Sequence, residues 1–135
     1  MALTAITLLC FAALLPFPGL GDSGELDMVL VKVDVTNKFT NNTVSYSTTV
    51  AKGMPMFGVL NNLQDTQSFR FTYSINKSYG IFLESVNGLA GSTANKTYWE
   101  LLSKKGKTVT WLNVGIGCYQ PKKNEIFIMN YTTWG

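Results

Sequence analysis

After its first twenty or so residues this chain alternates apolar and polar side chains in twos almost throughout, and it breaks into helical period only once. That single switch limits the fold more than any other feature. Val29-Leu-Val-Lys-Val-Asp-Val35 and Val44-Ser-Tyr-Ser-Thr-Thr-Val50 alternate on either side of the polar Asn37-Lys-Phe-Thr-Asn-Asn42, so the pair reads as an antiparallel hairpin. In Gly53–Asp65 the period changes: Met56, Val59, Leu60 and Leu63 recur at helical spacing, and Pro55 suits a first helical turn. Gly58 inside this run points to one short helix packed on a sheet. The segments Phe69–Tyr73, Gly80–Val86, Thr97–Leu102, Val109–Val114 and Glu125–Tyr131 return to extended character. Asn87-Gly88 supplies the positive-φ positions of a tight turn, and Lys105-Gly-Lys107 forms a hairpin tip. A hairpin, one helix across it, then more strands with the last returning to the first predicts an α+β, β-grasp-like fold with a mostly antiparallel sheet.

Residues 1–21 read as a secretory signal peptide, with 22–135 as one β-domain. The apolar run from Met1 to Leu15 is too short to span a bilayer, Pro16-Phe-Pro18 breaks it, and Gly19-Leu-Gly21 offers the small residues of a cleavage site. No membrane anchor is expected. Removing the signal leaves roughly 114 residues, enough for one domain with its own core. Four glycosylation sequons, at Asn41, Asn76, Asn95 and Asn130, point independently to a secreted, extracellular glycoprotein. Of the two cysteines, Cys10 falls in the signal, so Cys118 is expected as a buried free thiol or an intermolecular disulfide partner.

Catalysis finds little to work with. The sequence has no histidine, which removes the commonest general base and imidazole metal ligand. One mature cysteine excludes a thiolate zinc site within the chain. The eight carboxylates are dispersed, and although Glu84 and Glu100 flank one turn, they read as solvent-facing strand residues. A net charge of +3, with Lys104-Lys105-Lys107 and Lys122-Lys123 as its clusters, is too weak for nucleic acid; both clusters read as solvated loops. The expectation is a non-enzyme without a metal.

What remains is aromatic display. Tyr79, Tyr98, Trp99, Trp111, Tyr119 and Trp134 fall near strand ends and loops. Trp99 and Trp111 flank the Lys-Gly-Lys tip and are expected to project from one end of the sheet, a pattern that suits a binding surface.

The stretch Asn87-Gly-Leu-Ala90, Lys96-Thr-Tyr-Trp-Glu-Leu-Leu-Ser103, Asn113-Val-Gly115, Tyr119-Gln-Pro121 and the closing strand resembles the C-terminal β-domain of the cobalamin carriers, the family of transcobalamin, intrinsic factor and haptocorrin. In that family the corrin ring lies between a large helical domain and this β-domain. The resemblance implies corrin contacts at Tyr79, Gly80 and Ile81, at Trp99, Glu100, Leu101 and Leu102, and at Trp111 and Leu112. It implies cobalamin as a carried ligand, not a catalytic cofactor. The sequence departs from the family in lacking the helical domain and its cobalt-ligating histidine. It also carries Glu100 where a neutral Gln is usual, and a longer hairpin between Ser103 and Trp111. The expected function is secreted cobalamin binding or transport, acting alone, with a separately encoded helical partner, or with a cell-surface receptor. The alternative is a secreted, non-enzymatic interaction module that kept the fold and lost the vitamin.

Overall fold

Val31, Val33 and Val35 alternate with Lys32 and Asp34, and one face of the resulting strand is buried while the other is not. In the computed structural model, which describes residues 27–78 and 80–134, this strand is β1 (Met28–Asn37). The expected signal peptide and Cys10 lie outside the described residues. β1 pairs in antiparallel register with β2 (Asn42–Ala51), Val33 opposite Tyr46 and Asn37 opposite Asn42. The connecting turn uses Asn41 at φ 54° and Asn37, whose Oδ1 accepts the Phe39 N–H at 2.8 Å. Asn at both places is the expected turn chemistry.

Helix α1 (Met56–Thr66) follows Pro55 and turns Met56, Val59, Leu60 and Leu63 into the core. Its first N–H groups, which have no partner within a helix, are satisfied from a distant loop. Met56 N–H donates to Tyr119 O at 2.6 Å and Phe57 N–H to Ile116 O at 2.9 Å. The helix therefore fixes the 116–119 loop as firmly as the loop fixes the helix.

Next come β3 (Phe71–Asn76), β4 (Gly80–Val86) and β5 (Leu89–Ala90), which form a three-stranded sheet in the order β3-β4-β5. Asn87 and Gly88, at φ 50° and 84°, make the two-residue turn between β4 and β5. β6 (Thr97–Lys105), β7 (Thr108–Trp111) and β8 (Ile126–Thr133) join the first hairpin in a five-stranded sheet of order β2-β1-β8-β6-β7. All neighbours there are antiparallel except β1 and β8, which run parallel. The last strand thus returns beside the first, and the α+β, β-grasp-like reading stands.

Details shift at the ends. The strand expected at 69–73 occupies Phe71–Asn76, because Phe69 drops into the core instead of pairing. The strand expected at 109–114 stops at Trp111, after which the chain crosses to the core side at Leu112. The core is the inner face of the large sheet (Val31, Val33, Val35, Trp99, Phe127, Met129, Tyr131), closed by α1 and by Phe69, Phe71, Leu83 and Val86 of the small-sheet region. At roughly 1.5–3 kcal/mol per fully buried large apolar side chain, this layer dominates the stability of a domain this size.

Candidate functional site

Strand β6 carries four of the nine residues expected to bind, and strand alternation divides them. Trp99 and Leu101 face inward; Tyr98, Glu100 and Leu102 face outward. Trp99 is only 7% exposed, lies opposite Tyr131 in register, and tilts against that ring at 5.1 Å between centroids. Its indole Nε1 donates to Leu89 O at 2.8 Å, and the Tyr131 hydroxyl donates to Ala90 O at 3.0 Å. Both aromatics thereby pin β5 over the core.

Trp111 does the opposite. It pairs in register with Leu102 on the outer face and is 72% exposed. Its Nε1 donates to Glu100 Oε2 at 2.6 Å. The expectation that Trp99 and Trp111 project together is corrected: alternation puts them on opposite faces of the sheet, and Trp99 is a core residue. Glu100 is likewise not turned toward Glu84. It is the centre of an outer-face network in which Asn130 Nδ2 donates to Oε1 at 3.1 Å and Thr36 Oγ1 donates to Asn130 Oδ1 at 2.6 Å. The Tyr98 hydroxyl approaches Oε2 at 3.4 Å, and its pKa is raised, first by burial and then by the Glu100 charge. Trp134 meets the Tyr98 ring edge-on at 5.8 Å. The result is a carboxylate ringed by neutral donors and exposed aromatics.

The remaining expected residues meet through one loop. Leu112 N–H donates to Leu101 O at 3.0 Å, carrying the chain from β7 past β6. Three residues on, a Cβ at Gly115 would stand 2.8 Å from Ile81 O, and one at Gly117 would stand 3.1 Å from the Ile81 side chain. Glycine is therefore what lets the 115–117 loop lie against β4. Ile81, Leu101 and Leu112 are half-buried along this seam, beside Gly80 at φ 82°. The 115–117 loop, three residues past Leu112, thus lies against the expected Gly80–Ile81 segment, with Trp111 at the sheet edge before it. Tyr79 lies outside the described residues.

Cys118 is disulfide-bonded, so the expectation of a free thiol is corrected. No local pattern marks out Glu125, which is buried at 4% exposed. Its Oε2 accepts the Ser103 and Tyr119 hydroxyls, and its Oε1 accepts the Lys122 N–H at 2.9 Å. Burial, then the bond to Glu125, pushes the Tyr119 phenol up to about 12. Among the described residues no group of three or more Cys, Asp or Glu side chains is placed to hold a metal, and no helix is long and apolar enough to cross a membrane.

No family model matches the chain. It is 33% identical over 92 residues to cobalamin binding intrinsic factor of Mus musculus, covering 67% of this chain. It is also 33% identical over 95 residues to cobalamin binding intrinsic factor of Homo sapiens, covering 70% of this chain. In each case the match covers 21% of the relative, so the chain spans about a fifth of the length of these relatives. Among solved structures, haptocorrin in complex with Cbi superposes with a TM-score of 0.63 at 23% identity, over 78% of this chain and 26% of that one. A Ruminococcus gnavus protein proposed to bind metal superposes with a TM-score of 0.61 at 13% identity, over 79% of this chain and 99% of that one. At such identities both structures speak to the fold.

Proposed function

We propose that this chain, which resembles the C-terminal β-domain of the cobalamin carriers, is a secreted, non-enzymatic module that contacts a corrinoid with one face. The observation that carries the reading is the state of Trp111. Its indole is exposed, yet held in one orientation by the Glu100 carboxylate, at the edge where the chain leaves β7 through Leu112 toward the loop that lies against Ile81. A corrin offers an apolar plane rimmed by amides, and a fixed aromatic beside backbone donors and acceptors suits it. Gly80, Ile81, Leu101 and Leu112 supply or support the apolar seam, Leu102 lies beside the indole on the outer face, and Glu100 sets the indole. Trp99 serves from beneath, as the packing that holds β5 and β6.

With no histidine in the sequence, this chain supplies no imidazole to cobalt. One face buries less ligand than two, so affinity for the isolated chain is weaker than a two-domain sandwich would give. Spectral titration with hydroxocobalamin, cyanocobalamin and cobinamide tests the proposal; no shift at high micromolar protein overturns free-standing binding.

A second form of the same idea has a separate helical protein complete the site, because one β-face covers only one side of the ligand. Co-purification from native fluid checks it. Recovery of this chain alone, still without corrinoid, favours an interaction module that no longer carries the vitamin.

A further inference from the structure

Lysines far apart in the sequence meet on the outer face of the large sheet, at the end away from Glu100. Ile126 stands in register with Lys32 on one side and with Lys104 on the other. The two ammonium-bearing residues therefore flank one apolar residue across three adjacent strands, with backbones two strand spacings apart, about 10 Å. Lys122 and Lys123, on the loop entering β8, and Lys52, just past β2, line the same concavity, a cleft of about 1090 Å³. The Lys52 N–H donates to Asp27 O at 2.8 Å, which fixes that corner.

Five lysines share this cleft with two carboxylates, Asp27 and Glu125. Glu125 is buried and has both oxygens engaged by Ser103, Tyr119 and Lys122 N–H. Among the described residues none of the five lysines has an ion-pair partner. Like charges within about one Debye length repel, so the arrangement has a standing cost that a bound anion would remove.

We propose that the cleft binds a sulfated glycan chain. The charge is carried wholly by lysine, a compact point charge that meets spaced oxyanions without demanding one planar geometry. No aromatic lines the cleft, so nucleic-acid bases would find no stacking platform. Its apolar strip, Met28 and Leu30, is exposed and suits the flat faces of sugar rings between sulfates. The site is separate from the Trp111 edge and does not depend on the corrinoid reading.

The test is immobilised heparin, using the full chain and three variant sets. The set Lys32→Gln, Lys104→Gln, Lys122→Gln removes charge from the cleft; Lys38→Gln, Lys77→Gln, Lys96→Gln removes the same charge elsewhere. The pair Lys122→Gln, Lys123→Gln alters the loop alone and leaves the sheet untouched. Wild type should be retained with an affinity that falls steeply with salt, weakening about tenfold or more in the cleft set and less than about twofold in the control set. The loop pair should fall between them. Equal weakening in the cleft and control sets overturns the site. Competition by single-stranded DNA as effective as by heparin of equal charge overturns the choice of a sulfated glycan.

Discussion

The Glu100 carboxylate accepts the Trp111 indole N–H at 2.6 Å and leaves that indole 72% exposed. An indole in water normally samples several rotamers, and each ordered contact with a ligand must then overcome that freedom. Here the orientation is set beforehand. Trp111→Ala is expected to weaken corrinoid binding by about tenfold or more, the effect of losing an aromatic anchor. Its urea midpoint should barely move, since exposed positions change stability by about 0.5 kcal/mol or less. Spectral titration and urea unfolding of the same preparation read both; unchanged affinity would remove Trp111 from the site.

Trp99 should behave in the reverse sense. Trp99→Phe removes the donor to Leu89 O, a loss of about 0.5–1.5 kcal/mol. Trp99→Ala adds a cavity and should cost about 3–5 kcal/mol. Unfolding curves check the size, and affinity per folded molecule should stay near wild type for Trp99→Phe. A folded, fully stable Trp99→Ala protein would contradict its place in the core.

The seam between β4 and the loop after β7 depends on Gly115. A Cβ there meets backbone, 2.8 Å from Ile81 O, and backbone does not step aside easily. Gly115→Ala should cost about 1–3 kcal/mol, as overpacking does, and loosen corrinoid contact with it. Gly117→Ala meets only the Ile81 side chain, at 3.1 Å, and should cost less. Thermal unfolding of the two variants side by side decides the order; equal losses would mean the backbone contact is not special.

Tyr119 gives the fold an alkaline limit. Its phenol ionises near 10.0 when unfolded and is pushed up to about 12 in the fold by burial and Glu125. The unfolded chain therefore releases this proton first, so the contribution is whole below pH 10 and fades as pH rises toward 12. Urea midpoints of wild type should fall more steeply through that window than those of Tyr119→Phe. Parallel curves would show that Tyr119 does not set the limit.

The four sequons are not equivalent once folded. Asn41 and Asn95 are exposed on turns, whereas the Asn130 amide is committed to Glu100 and Thr36 within β8. A glycan on Asn130 would remove that network. Peptide mapping of chain secreted from mammalian cells should find Asn41 and Asn95 modified and Asn130 bare. Full occupancy at Asn130 in folded protein would refute the network's role.

Alternation made β1 and β8 legible because each is buried on one side and open on the other. The same alternation shows that Trp99 and Glu100 point opposite ways, but it does not say which way is inward. That choice depends on Trp99 lying opposite Tyr131, a pairing between residues 32 positions apart that no local pattern carries. The 115–119 loop was hidden for a similar reason: its glycines and carbonyls are explained by Ile81 and the start of α1, both remote in sequence. Lys104 and the Lys122-Lys123 pair read as separate loops, and Lys32 as a strand residue, for as long as β1, β6 and β8 were not known to be neighbours.

β8 lies at the centre of the large sheet although it is the last strand in chain order. Until residues 126–133 are synthesised, the hairpins β1–β2 and β6–β7 have no common neighbour, and each keeps one unpaired edge. The nascent chain must hold two half-sheets apart and then admit the missing middle between them. Its folding is therefore governed by contacts of long sequence separation, which close slowly. The vulnerable period comes late, when both edges are waiting and any other extended segment can take the vacant place.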